Sequence, residues 1–74
     1  MWGKQIETSA DYGELIKRRR KQLGYTQEEI AQFTGLSPRL IGELEHGKDS
    51  AGISKYLMVA QGLGIDLFAK VRGE

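Results

Sequence analysis

The sequence predicts a small, mainly α-helical domain of four to five helices with one short strand near its C-terminal end. Three observations carry this reading. Apolar residues recur at helical spacing in four successive stretches; "TQEE" at 26–29 and "SP" at 37–38 are helix-start signals; and "IDLFAKVR" at 65–72 switches to alternation, the period of a half-buried strand. At 74 residues the chain reads as one domain. A single core of that size supplies about 3–5 kcal/mol of net stability, so a staple or a partner is expected. There is no cysteine, and His46 is the one histidine, which excludes a disulfide framework and any thiolate or clustered-imidazole metal site. Self-association is the staple that is left.

Taken in order, the first helix is expected from Ser9 as N-cap to Leu23, with Tyr12, Leu15, Ile16 and Leu23 on its apolar face and Gly24 at the position that ends it. Arg19 falls on that same face, with its stem covering the core edge and its head reaching water. Thr26 and Glu29 have the spacing of a capping box, so a second helix starts there, carries Ile30, Ala31 and Phe33, and stops at Thr34–Gly35. Gly35 permits a left-handed turn, Ser37 is a strong N-cap, and Pro38 suits the first helical position, where a missing N–H costs nothing. A third helix therefore begins at once and runs to about His46, with Leu40, Ile41 and Leu44 inward and Gly47 ending it. The fourth is expected from Ser50 as N-cap to Leu63, lined by Ile53, Leu57, Ala60 and Leu63 and closed by Gly64. In the strand, Ile65, Leu67, Ala69 and Val71 alternate with Asp66, Phe68, Lys70 and Arg72. A lone strand has two unpaired edges, which residues 2–7 or the same strand of a second copy can fill.

Two short helices joined by a glycine turn form a helix-turn-helix, whose second helix enters the major groove of DNA. The spacing is specific. Counting Gln27 as first, Ala31 is fifth and small where the helices cross, Gly35 is ninth and turns, and Ile41 and Leu44 are fifteenth and eighteenth and anchor the reading helix. The motif spans 26–46. With it on the page, "RKQLGYTQEEIAQFTGLSPRLIGELEHGK", residues 20–48, resembles the Cro and lambdoid-repressor (Xre-type) helix-turn-helix family, and the likeness runs on through the fourth helix. The strand that follows is similar to the HipB-like antitoxin branch.

The resemblance implies a lambda-repressor-like fold and a homodimer whose C-terminal strands, 65–72, pair across the two-fold axis. It further implies a repressor that autoregulates a toxin-antitoxin operon and holds a HipA-type Ser/Thr kinase toxin. Carried over by position, Ser37, Pro38, Arg39, Gly42 and Glu43 fall where the family reads base edges. Arg39 suits a bidentate contact to guanine, and Glu43 either accepts from cytosine N4, restrains specificity or faces solvent. The family often has glutamine where this chain has Pro38, which removes one long polar reader. Phosphate contacts fall to Thr26, Gln27, His46, Lys48 and Arg20, with Arg20 also pairing with Glu45 to organise that surface. The dimer is expected to form through Trp2, Ile6, Leu67, Phe68 and Val71, together with part of the fourth helix, so the operator is expected to be an inverted repeat in double-stranded DNA.

The 11 basic and 10 acidic residues leave a formal charge of +1, which does not announce nucleic-acid binding. The run "KRRRK" at 17–21 forms no single patch either, because five positions at about 100° each wrap right round a helix. Catalysis is not expected: there is no glycine-rich phosphate loop, and the pairs Glu28/Glu29 and Glu43/Glu45 diverge on their helices. No cofactor is implied. With no signal-peptide pattern and no apolar run of about 20 residues, the expected location is cytoplasmic and nucleoid-associated. A protein-interaction module using the fold as scaffold, or a stand-alone Xre-type regulator, are the alternative functions.

Overall fold

The computed structural model describes residues 4–73. Four α-helices follow one another, α1 (Ser9–Leu23), α2 (Gln27–Thr34), α3 (Pro38–Glu45) and α4 (Ile53–Gly62), with a 3₁₀ turn at Asp49–Ala51 before the last. α3 packs against both α1 and α2, and α4 closes the bundle against the same two helices. The core between them consists of Tyr12, Ile16, Ile30, Ala31, Ile41, Leu44, Tyr56, Val59, Ala60 and Leu63.

The helix starts follow from side-chain chemistry. α1 is capped by Thr8 and not by Ser9: Thr8 Oγ1 accepts from the Asp11 N–H at 3.1 Å, while the Asp11 carboxylate accepts from the N–H groups of Glu7 and Thr8 at 3.0 and 3.2 Å. Counting from Ser9 would place Tyr12 at the third helical position, where it offers no such acceptor and is needed in the core. Those N–H donors hold the Asp11 carboxyl below its ordinary range. α2 has the expected capping box, with Glu29 N–H donating to Thr26 Oγ1 at 3.1 Å and Thr26 N–H to Glu29 Oε1 at 2.9 Å. α3 starts at Pro38 behind the Ser37 cap, which accepts from Leu40 N–H at 3.1 Å.

The expected core differs from the observed one at the ends of elements. Leu23 is 42% exposed at the last position of α1, and Phe33, 58% exposed, lies edge-on against Tyr25 with ring centroids 5.1 Å apart. α4 is both later and rotated. Ser50 lies inside the 3₁₀ turn, Gly52 at φ 82° breaks the chain direction, and the helix proper starts at Ile53. Tyr56 takes the inward position, stacked on Tyr12 at 5.4 Å and donating its hydroxyl to the Lys48 carbonyl at 3.0 Å. The buried set is therefore Tyr56, Val59, Ala60 and Leu63, while Ile53 is turned out to 58% exposure and Leu57 stands at the edge.

Arg19 keeps part of its head at the surface and also anchors it to protein. Its Nε donates to the Leu63 carbonyl at 2.9 Å and its Nη1 to Gln22 Oε1 at 2.9 Å, so it fastens the end of α4 to α1. Residues 65–72 form no strand: apart from Ile65, which packs on the core, they are exposed, with Leu67 at 44%, Phe68 at 86% and Val71 at 70%. The physical reason is that a strand is defined by its ladder, and no described segment of the same chain lies alongside to complete one. Ile6, offered as part of a pairing segment, instead packs partly buried on the helical core. Trp2 lies outside the described residues.

Candidate nucleic-acid interface

The turn between α2 and α3 presents one end of α3. Ala31 and Ile30 are buried at the crossing, Gly35 sits at φ 77° in the left-handed region, and Ile41 and Leu44 are fully buried beneath the outer face of α3. Ser37, Pro38 and Arg39 are all exposed at the N-terminal end of that helix. Arg39 makes no hydrogen bond or ion pair among the described residues, so its guanidinium keeps its full donor set for an external acceptor.

Behind this face lies a polar network joining three helices. Arg20 of α1 donates from Nε and Nη2 to the two carboxylate oxygens of Glu45 at 2.6 and 3.0 Å, and from Nη1 to the Tyr25 carbonyl at 2.9 Å. Glu45 Oε1 also accepts from Gln27 Nε2 of α2 at 3.1 Å. Both charged residues are buried, and the Glu45 carboxylate raises the Arg20 guanidinium above its ordinary value. Arg20 therefore sits behind the surface with its guanidinium nitrogens engaged. It reaches the outer face only through Glu45 and Gln27, whose amide lies over Gly42: a Cβ at Gly42 would come 3.6 Å from Gln27 Nε2.

Thr26 is exposed at the start of α2, beside Gln27. At the other end of α3, His46 Nδ1 is 2.8 Å from the Gly42 carbonyl, which makes that nitrogen the donor and leaves Nε2 turned away from it. Lys48 Nζ is 3.1 Å from Glu43 Oε2. Of the expected base-facing and phosphate-facing residues, Gln27, Gly42, Glu43, His46 and Lys48 are thus brought together by direct contacts, with Arg20 held behind Gln27 through Glu45. The basic run disperses: Arg20 is buried, Lys17 and Arg19 are half-buried, and Arg18 and Lys21 are exposed. Of the residues expected at a dimer contact, Ile6, Leu67 and Phe68 line one groove between the N-terminal arm, α1 and the C-terminal segment.

Two supporting residues escaped the sequence reading. Gly13 faces α3 so closely that a Cβ would meet the Leu44 carbonyl oxygen at 2.1 Å. Gly47, expected only to end α3, also presses on α1, where a Cβ would lie 2.5 Å from Ala10 Cα. Close approach of two backbones leaves no local pattern, so only the unusual placement of a glycine mid-helix at 13 signalled it.

Among the described residues no group of three or more metal-ligating side chains occurs, and no helix is long and apolar enough to cross a membrane. The helix-turn-helix family model HTH_3 matches residues 16–69 of the chain. The chain belongs to the helix-turn-helix family. It is the Xre-type branch of that family that residues 20–48 resemble. The chain is 41% identical over 71 residues to an uncharacterized HTH-type transcriptional regulator, y4mF, of Sinorhizobium fredii, covering 96% of this chain and 93% of the relative. A second HTH-type regulator, from Methanothermobacter thermautotrophicus, is 40% identical over 50 residues, covering 68% of this chain and 72% of its own. In fold it is similar to HipB in a HipB–O4 20mer complex, with a TM-score of 0.85 at 21% identity over 95% of this chain and 99% of that one. It is equally similar to a chain of a HipA–HipB–O2–O3 complex, with a TM-score of 0.84 at 21% identity over 95% and 99% of the two chains.

Proposed function

We propose that the chain is a dimeric, sequence-specific DNA-binding repressor. We further propose that it serves as a HipB-like antitoxin, repressing its own operon and holding a HipA-type Ser/Thr kinase toxin. The observation that carries the DNA reading is the buried Arg20–Glu45–Gln27 network, which fixes α3 against α1 and α2 while leaving Arg39 unpaired at its exposed end. A surface charge held ready by a rigid base is what base readout requires. The likeness to HipB over nearly the whole chain supports the antitoxin part.

In this reading Ser37, Pro38, Arg39, Gly42 and Glu43 face the bases, and Thr26, Gln27, His46 and Lys48 face phosphates. Leu67, Phe68 and Val71 cover one another's apolar surface across a two-fold axis. Two reading helices then address half-sites one turn apart, about 34 Å. Selection of binding sites from random duplex DNA is expected to enrich an inverted repeat with that spacing. Arg39→Ala is expected to lose about 1–3 kcal/mol of discrimination at one position per half-site, read by repeating the selection with the variant. No enrichment would turn the reading toward an interaction module. Enrichment without co-purification of a kinase encoded nearby would leave a stand-alone regulator.

A further inference from the structure

At the end of α3 an anion, Glu43, lies beside Lys48, the cation read above as facing phosphate. Lys48 is held at its main chain, with its N–H donating to the Glu43 carbonyl at 3.1 Å and its carbonyl accepting from the Tyr56 hydroxyl at 3.0 Å. Only the side chain is free to change partner, and it rests on Glu43 Oε2 at 3.1 Å, with the two side chains 41% and 32% exposed, open to an incoming phosphate. Arg39 stands one turn before Glu43 on the same helical face, yet Glu43 pairs with Lys48 and leaves Arg39 unpaired.

We propose that Glu43 sets sequence discrimination by competing with DNA phosphate for Lys48. This rests on the DNA-binding reading above. On a duplex that offers Glu43 no hydrogen-bond donor, releasing Lys48 would leave a bare carboxylate among phosphates, so the lysine stays with Glu43 and adds no phosphate contact. On a duplex that presents a donor at that place, of the kind cytosine N4 supplies in the major groove, Glu43 takes the donor and Lys48 passes to phosphate. One base contact and one phosphate contact then form together, and a mismatch loses both.

The test compares the salt dependence of binding to a random-sequence duplex and to the selected operator. The proteins are the wild type, Glu43→Gln, Glu43→Ala, Lys48→Ala and the Glu43→Gln/Lys48→Ala double variant, each first matched to wild type by thermal melting. Each neutralised phosphate contributes a slope of about 0.9. On random duplex, both Glu43 variants are expected to steepen the slope by about that amount, the double variant to return to the wild-type slope, and Lys48→Ala alone to leave it unchanged. The ratio of operator to random affinity is expected to fall about 5-fold in Glu43→Gln, the limit set by an exposed ion pair. Additive effects with unchanged slopes would overturn the proposal, since they reduce Glu43 to simple repulsion. A wild type that binds neither duplex would overturn the DNA-binding reading, and this inference with it.

Discussion

Glu45→Ala is expected to remove about 3–5 kcal/mol of stability, because it strands a buried guanidinium that cannot shed its charge. That loss equals the whole margin of a domain of this size, about 3–5 kcal/mol. Arg20 would keep the Tyr25 carbonyl but lose both carboxylate oxygens, now at 2.6 and 3.0 Å. Gln27 would lose its 3.1 Å partner in the same step. A urea titration followed by circular dichroism measures the effect, with the variant largely unfolded before denaturant is added. The double variant Arg20→Met/Glu45→Leu separates burial of an unpaired charge from loss of packing. It is expected to recover most of the stability, because apolar residues of similar volume can replace a buried pair at little cost, while DNA affinity stays low because nothing then orients Gln27. A double variant as unstable as the single one would show that the pair is needed for the fold itself.

Gly13→Ala is the second large effect. Its added carbon would lie 2.1 Å from the Leu44 carbonyl oxygen and 3.0 Å from the Glu45 carbonyl carbon, both backbone atoms of α3. Neither can rotate away, so the two helices must separate, at a cost of about 3 kcal/mol. In a domain this small that corresponds to a fall in melting temperature of about 12–24 °C. Separation also draws Glu45 away from Arg20, so DNA binding is expected to fail even at temperatures where the variant is folded. Gly42→Ala is the control: its carbon would meet only the Gln27 amide, at 3.6–3.9 Å, and the melting temperature is expected to hold. Equal melting of Gly13→Ala and wild type would show that the α1–α3 contact is slack.

Local chemistry was legible where it acts within one turn of chain. The Thr26–Glu29 box, the Gly35 turn and the Ser37–Pro38 start are each complete within four residues, and each stands in the structure as read. The start of α1 moved by one residue because two adjacent residues, Thr8 and Ser9, can both cap, and the choice depends on Asp11 three positions beyond Thr8. On α4 the inward positions of Ala60 and Leu63 are legible, but Ile53 and Leu57 fit an apolar stripe as well as Tyr56 and Val59 do. What decides is the stacking of Tyr56 on Tyr12 and its bond to Lys48, both contacts between distant parts of the chain. The C-terminal alternation is present in the sequence, but a ladder needs a second strand, and periodicity in one chain cannot supply it. At the candidate site the exposed residues were legible by position in the motif, whereas the engagement of Lys48 by Glu43 and the backbone approach at Gly13 depend on how elements pack.

Arg19 and Arg20 are neighbours on α1, yet one grips the Leu63 carbonyl at 2.9 Å and the other grips Glu45 at 2.6 Å. The departure point of the C-terminal segment and the bearing of α3 are thus both referenced to a single rigid rod. α1 works as a gauge block. If two copies join through their C-terminal segments, substitutions at Phe68 or Val71 change how firmly they hold, whereas the distance between the two reading helices is inherited from α1. Selection could then retune the strength of pairing without disturbing the geometry that matches it to the helical repeat of DNA.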